Sequence, residues 1–460
     1  MDRDCDVAII GSGVAGLSAA VSAADAGARV MILEAAERVG GSSRLSGGHF
    51  FAAGTCVQRE AGISDTSDAM FEHYMTLTQW LVEPSVVRRY CDLSAPTLEW
   101  LRDLGAVFKP EHVHASGVGS VPRGHVPEGE GLEVVRVLDR ECSKRGVELA
   151  FKTPVDGLLT AADGRVVGIR SAGQELRAGA VVVASGGFGA NPELIPKYFP
   201  DAAAAGDWAW YIGADEARGD GIALGQQVGA AIDGHNRGLL LLTPGFSRDL
   251  EIFLPGWIVL VDRHGRRFAD ETAPYPMMAG LFKRHGGVAF AIFDEPARAA
   301  AEPNPLNRAY WVADILEAKA DEGRIFRAHS LDELARGAGI DAPALAGTVE
   351  RYNADCERGV DTAFFKSPIS GMRKIATPPF YAVEVRPAII AWTGAGLRID
   401  ADARVIGRDE RPIPGLFAAG ETVGSLHGDR YIGGGGSFGP CLVFGKLAGE
   451  HAATEAASVP

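Results

Sequence analysis

No stretch of this chain reaches the roughly 18 consecutive apolar residues that a membrane-crossing helix needs. No basic segment with an apolar core follows Met1, so no secretory signal is expected either. The six cysteines (Cys5, Cys56, Cys91, Cys142, Cys356 and Cys441) contain no C-x-x-C pair. That scatter fits buried thiols in a reducing compartment better than a disulfide framework, and a cytoplasmic protein is expected. Positive charge is in short supply: 45 Lys and Arg stand against 59 Asp and Glu, a net charge of −14. This argues against nucleic acid and against an anionic membrane surface as partners. No internal repeat is visible, no metal site is expected, and the Ala-rich end of the sequence is expected to fray.

Glycine is what the chain has in quantity, 59 residues, clustered where backbone would have to approach a ligand. With 47% hydrophobic and 23% charged residues the composition is that of a soluble globular protein. At 460 residues the chain is long for a single core, and two or three domains are expected.

Asp6–Glu34 (DVAIIGSGVAGLSAAVSAADAGARVMILE) organises the rest. Val7 to Ile10 form an apolar run suited to a strand buried on both faces. Gly11, Gly13 and Gly16 then spell G-x-G-x-x-G where strand gives way to helix. Gly11 allows the tight turn, Gly13 lets backbone approach a pyrophosphate, and Gly16 lets helix and strand pack closely. The helix N-terminus turns unpaired N–H groups and a positive dipole end towards that phosphate. A second strand, Arg29–Leu33, ends at Glu34, an acid placed for a ribose hydroxyl and repellent to a 2′-phosphate, which argues against NADP. The small-residue loop that follows, Gly40 to Gly48, can wrap a flat ring.

Helical spacing recurs over 65–104 and over Gly131–Lys144, with a strand at Val147–Phe151. Asp156–Ala184 reads as a small antiparallel sheet with turns at Asp163-Gly164 and Ala172-Gly173. Its last strand returns to the parallel sheet and ends in Ser185-Gly186-Gly187. Gly219-Asp220-Gly221 opens a helix. Composition then shifts, and 237–391, with a hairpin at Ile258–Phe268, reads as a domain inserted between 1–236 and 392–460. After it come the strand Pro412 to Glu421, ending in Gly-Glu, and a glycine turn at Tyr431 leading into an amphipathic helix.

The motifs GSGVAGLSAA, GGSSRLSGG, VVVASGGFGAN, GDGIALGQQVGA, DRHGRRFADE, IPGLFAAGE and the C-terminal glycine turn together resemble the two-domain FAD flavoproteins of the fumarate reductase/succinate dehydrogenase group. The resemblance covers nearly the whole chain. It implies an α/β fold: a Rossmann-like FAD-binding domain of the glutathione-reductase type with an inserted α+β capping domain. FAD, held non-covalently, would meet Gly11, Ser12, Gly13, Val14, Ala15 and Gly16. Glu34 and Ala35 would lie at the adenosine ribose, and Gly41, Ser42, Ser43, Ser46, Gly47 and Gly48 along pyrophosphate and flavin. Further contacts would come from Val155, Ala184, Gly186, Gly420 and Glu421, with Ser437 and Leu442 at the flavin pyrimidine edge, where a helix dipole favours negative charge.

Within that group, fumarate reductases hold a dicarboxylate with arginines and histidine. Four residues beyond Glu271, where the proton-donating arginine would stand, this chain has Tyr275. The later arginine, before a Gly-Gly, is matched by Tyr431, and the histidine pair by Ile390, Ala391 and Trp392. The pattern is similar instead to 3-ketosteroid dehydrogenases and related cyclic-ketone desaturases. It shares Pro274-Tyr275 and the ungapped stretch Tyr431-Ile432-Gly433-Gly434-Gly435-Gly436-Ser437-Phe438-Gly439-Pro440, with Ile432 replacing a proline; no third, N-terminal tyrosine is found.

The expected chemistry is desaturation beside a ring ketone, either a 3-ketosteroid or a smaller ring such as 4-oxocyclohexanecarboxylate. Tyr431 O–H and the N–H of Gly435 would hold the carbonyl oxygen as an oxyanion hole, Tyr275 would take the α proton, and hydride would pass to the flavin. A free phenol has a pKa of about 10, so a tyrosine base needs help from its surroundings. The expected partners are the ketone and an electron acceptor (oxygen, a quinone or a carrier); oligomeric state is left open. Arg123 and Arg386 are candidates for a substrate carboxylate. Arg263, Arg266 and Arg267 read as hairpin-surface or domain-interface charges, and His427 as structural. Two other readings remain: an ene-reductase of the fumarate reductase type, and a flavin electron carrier without a substrate pocket.

Overall fold

The computed structural model describes residues 3–248, 250, 253–303, 310–424, 426–428 and 430–458. The chain divides into two compact units, one of Met1–Asp201, Gly213–Leu239 and Ala391–Pro460, the other of Ala202–Ile212 and Leu240–Ile390. The segment Ala202–Ile212 is a difference from the sequence boundaries. It falls in the second unit because Trp210 and Tyr211 pair in parallel with Ile389 and Ile390.

In the first unit the strand Cys5–Ile10 lies between Val30–Leu33 and Gln174–Val183, all parallel, with Val7 opposite both Val30 and Ala180. Pro412–Ala418 extends the sheet beyond Gln174–Val183 and Glu148–Ala150 extends it beyond Val30–Leu33, again in parallel. Val7, Ala8 and Ile9 are wholly buried, as a strand covered on both faces requires. Gln174–Val183 also closes an antiparallel meander with Val166–Ser171 and Gly157–Thr160, so one long strand serves two sheets.

Two helices cover one face of this sheet, Val14–Asp25 and Phe438–Ser458. The second is not amphipathic, contrary to expectation: thirteen of its residues are buried, including Phe438, Leu442, Phe444, Leu447 and Ala456. It lies so close to the first helix that a Cβ on Gly445 would come within 2.3 Å of Ala15 O and one on Gly449 within 2.1 Å of Ala19 O. The Ala-rich end does not fray; it stays helical through Ser458, with Ala456 buried. The region 65–104 forms two helices, Ser67–Leu77 and Pro84–Asp103, with the polar face of the second outward.

In the second unit Phe380–Thr393 pairs antiparallel with Ala289–Asp294, which pairs with Val259–Val261. Alternation along Ala289–Asp294 divides the core. Ala289, Ala291 and Phe293 join Trp311, Phe282 and Tyr381 on one face, while Phe290 and Ile292 join Leu334, Leu345 and Tyr352 on the other. All six cysteines are free. No helix among the described residues is long and apolar enough to cross a membrane.

Candidate active site

The nucleotide end of the first unit is built from the turn after Cys5–Ile10. Gly11 has φ +100°, and a Cβ there would lie 2.5 Å from Ala184 O. A Cβ on Gly16 would lie 1.9 Å from Gly11 O, so turn and helix can meet only without side chains. Gly13 is different. Its Cβ would have nothing nearer than Ser43 Oγ at 3.5 Å, leaving room over the helix N-terminus. Ser43 Oγ accepts the Val14 N–H at 3.2 Å. Glu34 is buried and fully bonded: Oε2 accepts from the N–H of Ser12 (2.8 Å) and its hydroxyl (2.5 Å), and Oε1 from the N–H of Ala36 (2.8 Å). Ala35 is exposed beside it. This carboxylate, fixed at the end of Val30–Leu33 next to an open helix N-terminus, suits the adenosine half of FAD.

The loop behind Glu34 is held from two directions. Ser42 Oγ accepts the Ala214 N–H at 3.0 Å, and Ser46 Oγ that of Gly48 at 3.0 Å. Ser46 O accepts the Gly131 N–H, which seats Gly41–Leu45, a 3₁₀ turn, and Gly47-Gly48 on the helix Glu130–Lys144. Val155 and Ala184 are buried in the same unit. Gly186 has φ +78°, with Gly187 O accepting the Gly219 N–H. That contact brings Asp220, at the start of the helix Asp220–Gln227, to the glycine loop. Burial pushes its carboxyl above the usual range. Asp220, which opens that helix after Gly219, is a further acid at the glycine loop, outside the candidate residues expected from the sequence. Gly420 (φ +88°) abuts Ala15, and Glu421 Oε1 accepts the N–H (2.9 Å) and hydroxyl (2.6 Å) of Thr393.

The C-terminal turn brings Tyr431, Gly435 and Ser437 together. Tyr431 is 8% exposed. Its hydroxyl accepts the Ser437 N–H at 3.0 Å and donates to Ser437 Oγ at 3.1 Å. Burial pushes the phenol up to about 12 in spite of those contacts, so it stays protonated over any working pH. Gly435 (φ +97°) presses on His49–Phe51, where a Cβ would fall 2.5 Å from Phe51 N. Among the described residues nothing accepts the N–H of Gly435. Leu442 is wholly buried within the helix Phe438–Ser458.

Sequence reading missed a set of imidazoles around this turn. His49 lies edge-on to His114 at 5.2 Å, and burial, then the charge of His114, pushes it down to about 4. Ser116 Oγ accepts the Gly434 N–H at 2.5 Å, and His73 stacks on Phe51. These residues lie 300 or more positions before the turn they line, so no local pattern announces them.

Two expectations about arginine need correction. Arg123 is buried with its guanidinium on Asp65, Nε to Oδ2 at 2.7 Å and Nη2 to Oδ1 at 2.8 Å. It is a structural ion pair rather than a carboxylate receptor. Arg267 is no surface charge: it bonds both oxygens of Glu271 at 2.8 Å and Asp361 at 2.8 Å, inside the second unit. Arg386, also in the second unit, pairs with Glu384 and lies over the ring of Trp208 at 4.4 Å. Tyr275, half-buried, is the first residue of the helix Tyr275–Arg284 and meets Phe253 edge-on at 6.0 Å.

Comparison with known proteins accords with this geometry. The FAD binding domain family matches residues 6–437. The fumarate reductase (cytochrome) of Shewanella frigidimarina is 32% identical over 97% of this chain and 77% of its own length. The 4-oxocyclohexanecarboxylate 2-dehydrogenase of Sinomonas cyclohexanicum is 27% identical over 98% of this chain and 93% of its own. Among solved structures, a 3-ketosteroid-Δ4-(5α)-dehydrogenase of Rhodococcus jostii superposes with a TM-score of 0.80 at 27% identity, covering 98% of each chain. With a nucleotide cradle, a glycine-turn helix and this set of relatives, the chain belongs to the FAD binding domain family, within the fumarate reductase/succinate dehydrogenase superfamily, and is an FAD-dependent oxidoreductase acting on CH–CH groups.

Proposed function

We propose that the protein desaturates a cyclic ketone next to its carbonyl. The observation that carries this reading is the C-terminal turn: a phenol kept protonated by burial and a backbone N–H with no acceptor among the described residues, four residues apart at Tyr431 and Gly435. With its O–H turned from Ser437 Oγ to a ligand, Tyr431 joins Gly435 as a second neutral donor, a pair that suits a carbonyl oxygen gathering enolate charge and is worth about 3–4 kcal/mol per donor. The first turn of the helix Phe438–Ser458 adds its positive end to the same region. Tyr275 is the proposed base for the α proton. FAD, when bound, supplies the hydride acceptor. The substrate class, a ring ketone of ketosteroid or oxocyclohexanecarboxylate type, is supported by what the names of two relatives state of those proteins.

The test is anaerobic mixing of the FAD-loaded protein with 4-oxocyclohexanecarboxylate and with 4-androstene-3,17-dione while flavin absorbance is followed. Bleaching by either, lost in Tyr275→Phe, is the expected result, with a rate that rises towards alkaline pH in the wild type alone. No bleaching by either ketone would sink the reading. A second reading, reduction of an activated alkene, draws on the 32% identity to a fumarate reductase. Oxidation of reduced viologen by fumarate would favour it. The tyrosines at positions 275 and 431 argue against it, since a dicarboxylate calls for cations.

A further inference from the structure

Two buried histidines of the first unit make opposite use of their nitrogens. His125 is satisfied: Nε2 meets Thr55 Oγ1 at 2.8 Å, and Nδ1 has Arg123 O at 2.9 Å and Phe50 O at 3.1 Å. His427 is 4% exposed, yet neither Nδ1 nor Nε2 has a partner among the described residues. Its ring stands edge-on to Trp392 at 4.7 Å and lies 5.8 Å from the ring of Tyr431. Trp392 is itself buried, and its indole N–H is also unpartnered. Buried polar groups are nearly always paired, so two adjacent ones left open beside the proposed carbonyl donor call for a ligand that supplies the missing partners.

We infer that His427, backed by Trp392, is a substrate-binding residue that hydrogen-bonds an uncharged oxygen of the substrate. The inference rests on the ketone reading above and extends it to a further contact. Burial pushes the imidazole down to about 3, so it stays neutral. A neutral ring offers one N–H and one acceptor nitrogen, and the indole a second N–H. That set suits a ketone or hydroxyl oxygen. It does not suit a carboxylate, which would require a cation. Arg237 is engaged through Nη1 with the backbone oxygen of His427 at 3.5 Å and lies 4.0 Å from Asp233 Oδ1.

The experiment titrates the FAD-loaded protein with 4-androstene-3,17-dione and with 4-oxocyclohexanecarboxylate, reading Kd from the flavin difference spectrum. Wild type, His427→Leu, His427→Gln, Trp392→Phe and Tyr431→Phe are compared. His427→Leu should weaken ketone binding tenfold or more, with FAD affinity unchanged. His427→Gln should recover to within about threefold, and Trp392→Phe should fall between. In ¹⁵N-histidine-labelled wild type the ring signals of His427 should move on titration, a readout that stands if the leucine variant does not fold. Binding by His427→Leu within twofold of wild type, or ring signals that stay fixed because only a bridging water meets them, overturns the inference. If Tyr431→Phe still loses affinity in that case, the ketone reading survives. Failure of both ketones to perturb the wild-type flavin overturns both.

Discussion

The two units each bury a polar cluster, and the clusters differ in completeness. In the second unit Lys366, with no exposed side-chain surface, places Nζ on Glu271 Oε2 at 2.7 Å and on Ile258 O at 3.1 Å. Arg267 binds the same carboxylate and Asp361, whose oxygens also accept the N–H groups of Ala363, Phe364 and Lys366. Every charge there has its counter-charge and its hydrogen bonds. In the first unit Trp392 Nε1, both ring nitrogens of His427, Ser185 Oγ and Thr422 Oγ1 are buried without partners among the described residues, and the two hydroxyls each lie close to where a Cβ on Gly221 would stand. A closed network belongs to the architecture, whereas the open one is where the substrate contact inferred above would supply the missing partners.

The sharpest way to break this contrast is to remove one member of the closed network. Lys366→Met leaves Glu271 buried with one cation fewer and should cost about 3–5 kcal/mol in a denaturant titration. A loss below about 1 kcal/mol would mean that the network is not what holds the hairpin. Next comes the open side. Tyr431→Phe should lower kcat by about 10²–10³ while FAD binding and the denaturation midpoint stay near wild type. An equal loss of stability would class Tyr431 with the architecture instead. Gly445→Ala sets a methyl against Ala15 O and should destabilise the first unit by about 1–3 kcal/mol, read by thermal unfolding with and without FAD.

The mildest effect is with acid. His49 and His427 are held neutral down to about 4 and about 3, well below the ordinary value of 6.5. The stability they contribute is complete above pH 6.5, where the unfolded chain is also neutral. It is lost as pH falls from 6.5 through those lower values, because the unfolded state takes up protons first. His49→Gln should therefore flatten part of the fall in denaturation midpoint between pH 7 and 4. An unchanged slope would count against burial of that imidazole.

Local features were legible in the residues alone. Gly11, Gly16 and Glu34 declare their roles because strand, turn, helix and acid follow within 29 positions, and each glycine's neighbour lies in the same unit of chain or the strand beside it. The meander turns at Gly164 and Gly173 were readable for the same reason. What escaped depended on distant partners. Arg123 looked available until Asp65, 58 positions away, took both sides of its guanidinium. Arg267 looked exposed in a run of charges, and its burial rests on Glu271 together with Asp361, 94 positions further on. The final helix looked amphipathic because its small residues, Gly445 and Gly449, are not apolar by composition, though they mark the face of closest approach. His427 could be read as structural from its neighbours in sequence; its unpaired nitrogens are visible only in three dimensions.

The close seating of Phe438–Ser458 on Val14–Asp25, together with Pro412–Ala418 beside Gln174–Val183, has a consequence for biogenesis. During synthesis the opening dinucleotide turn emerges hundreds of residues ahead of the helix that roofs it, and its apolar face must wait, uncovered, for that cover. Prosthetic-group capture is thus a late event, completed after the ribosome has delivered the last of these segments, and the interval before it is when a nascent chain of this kind has most need of a chaperone.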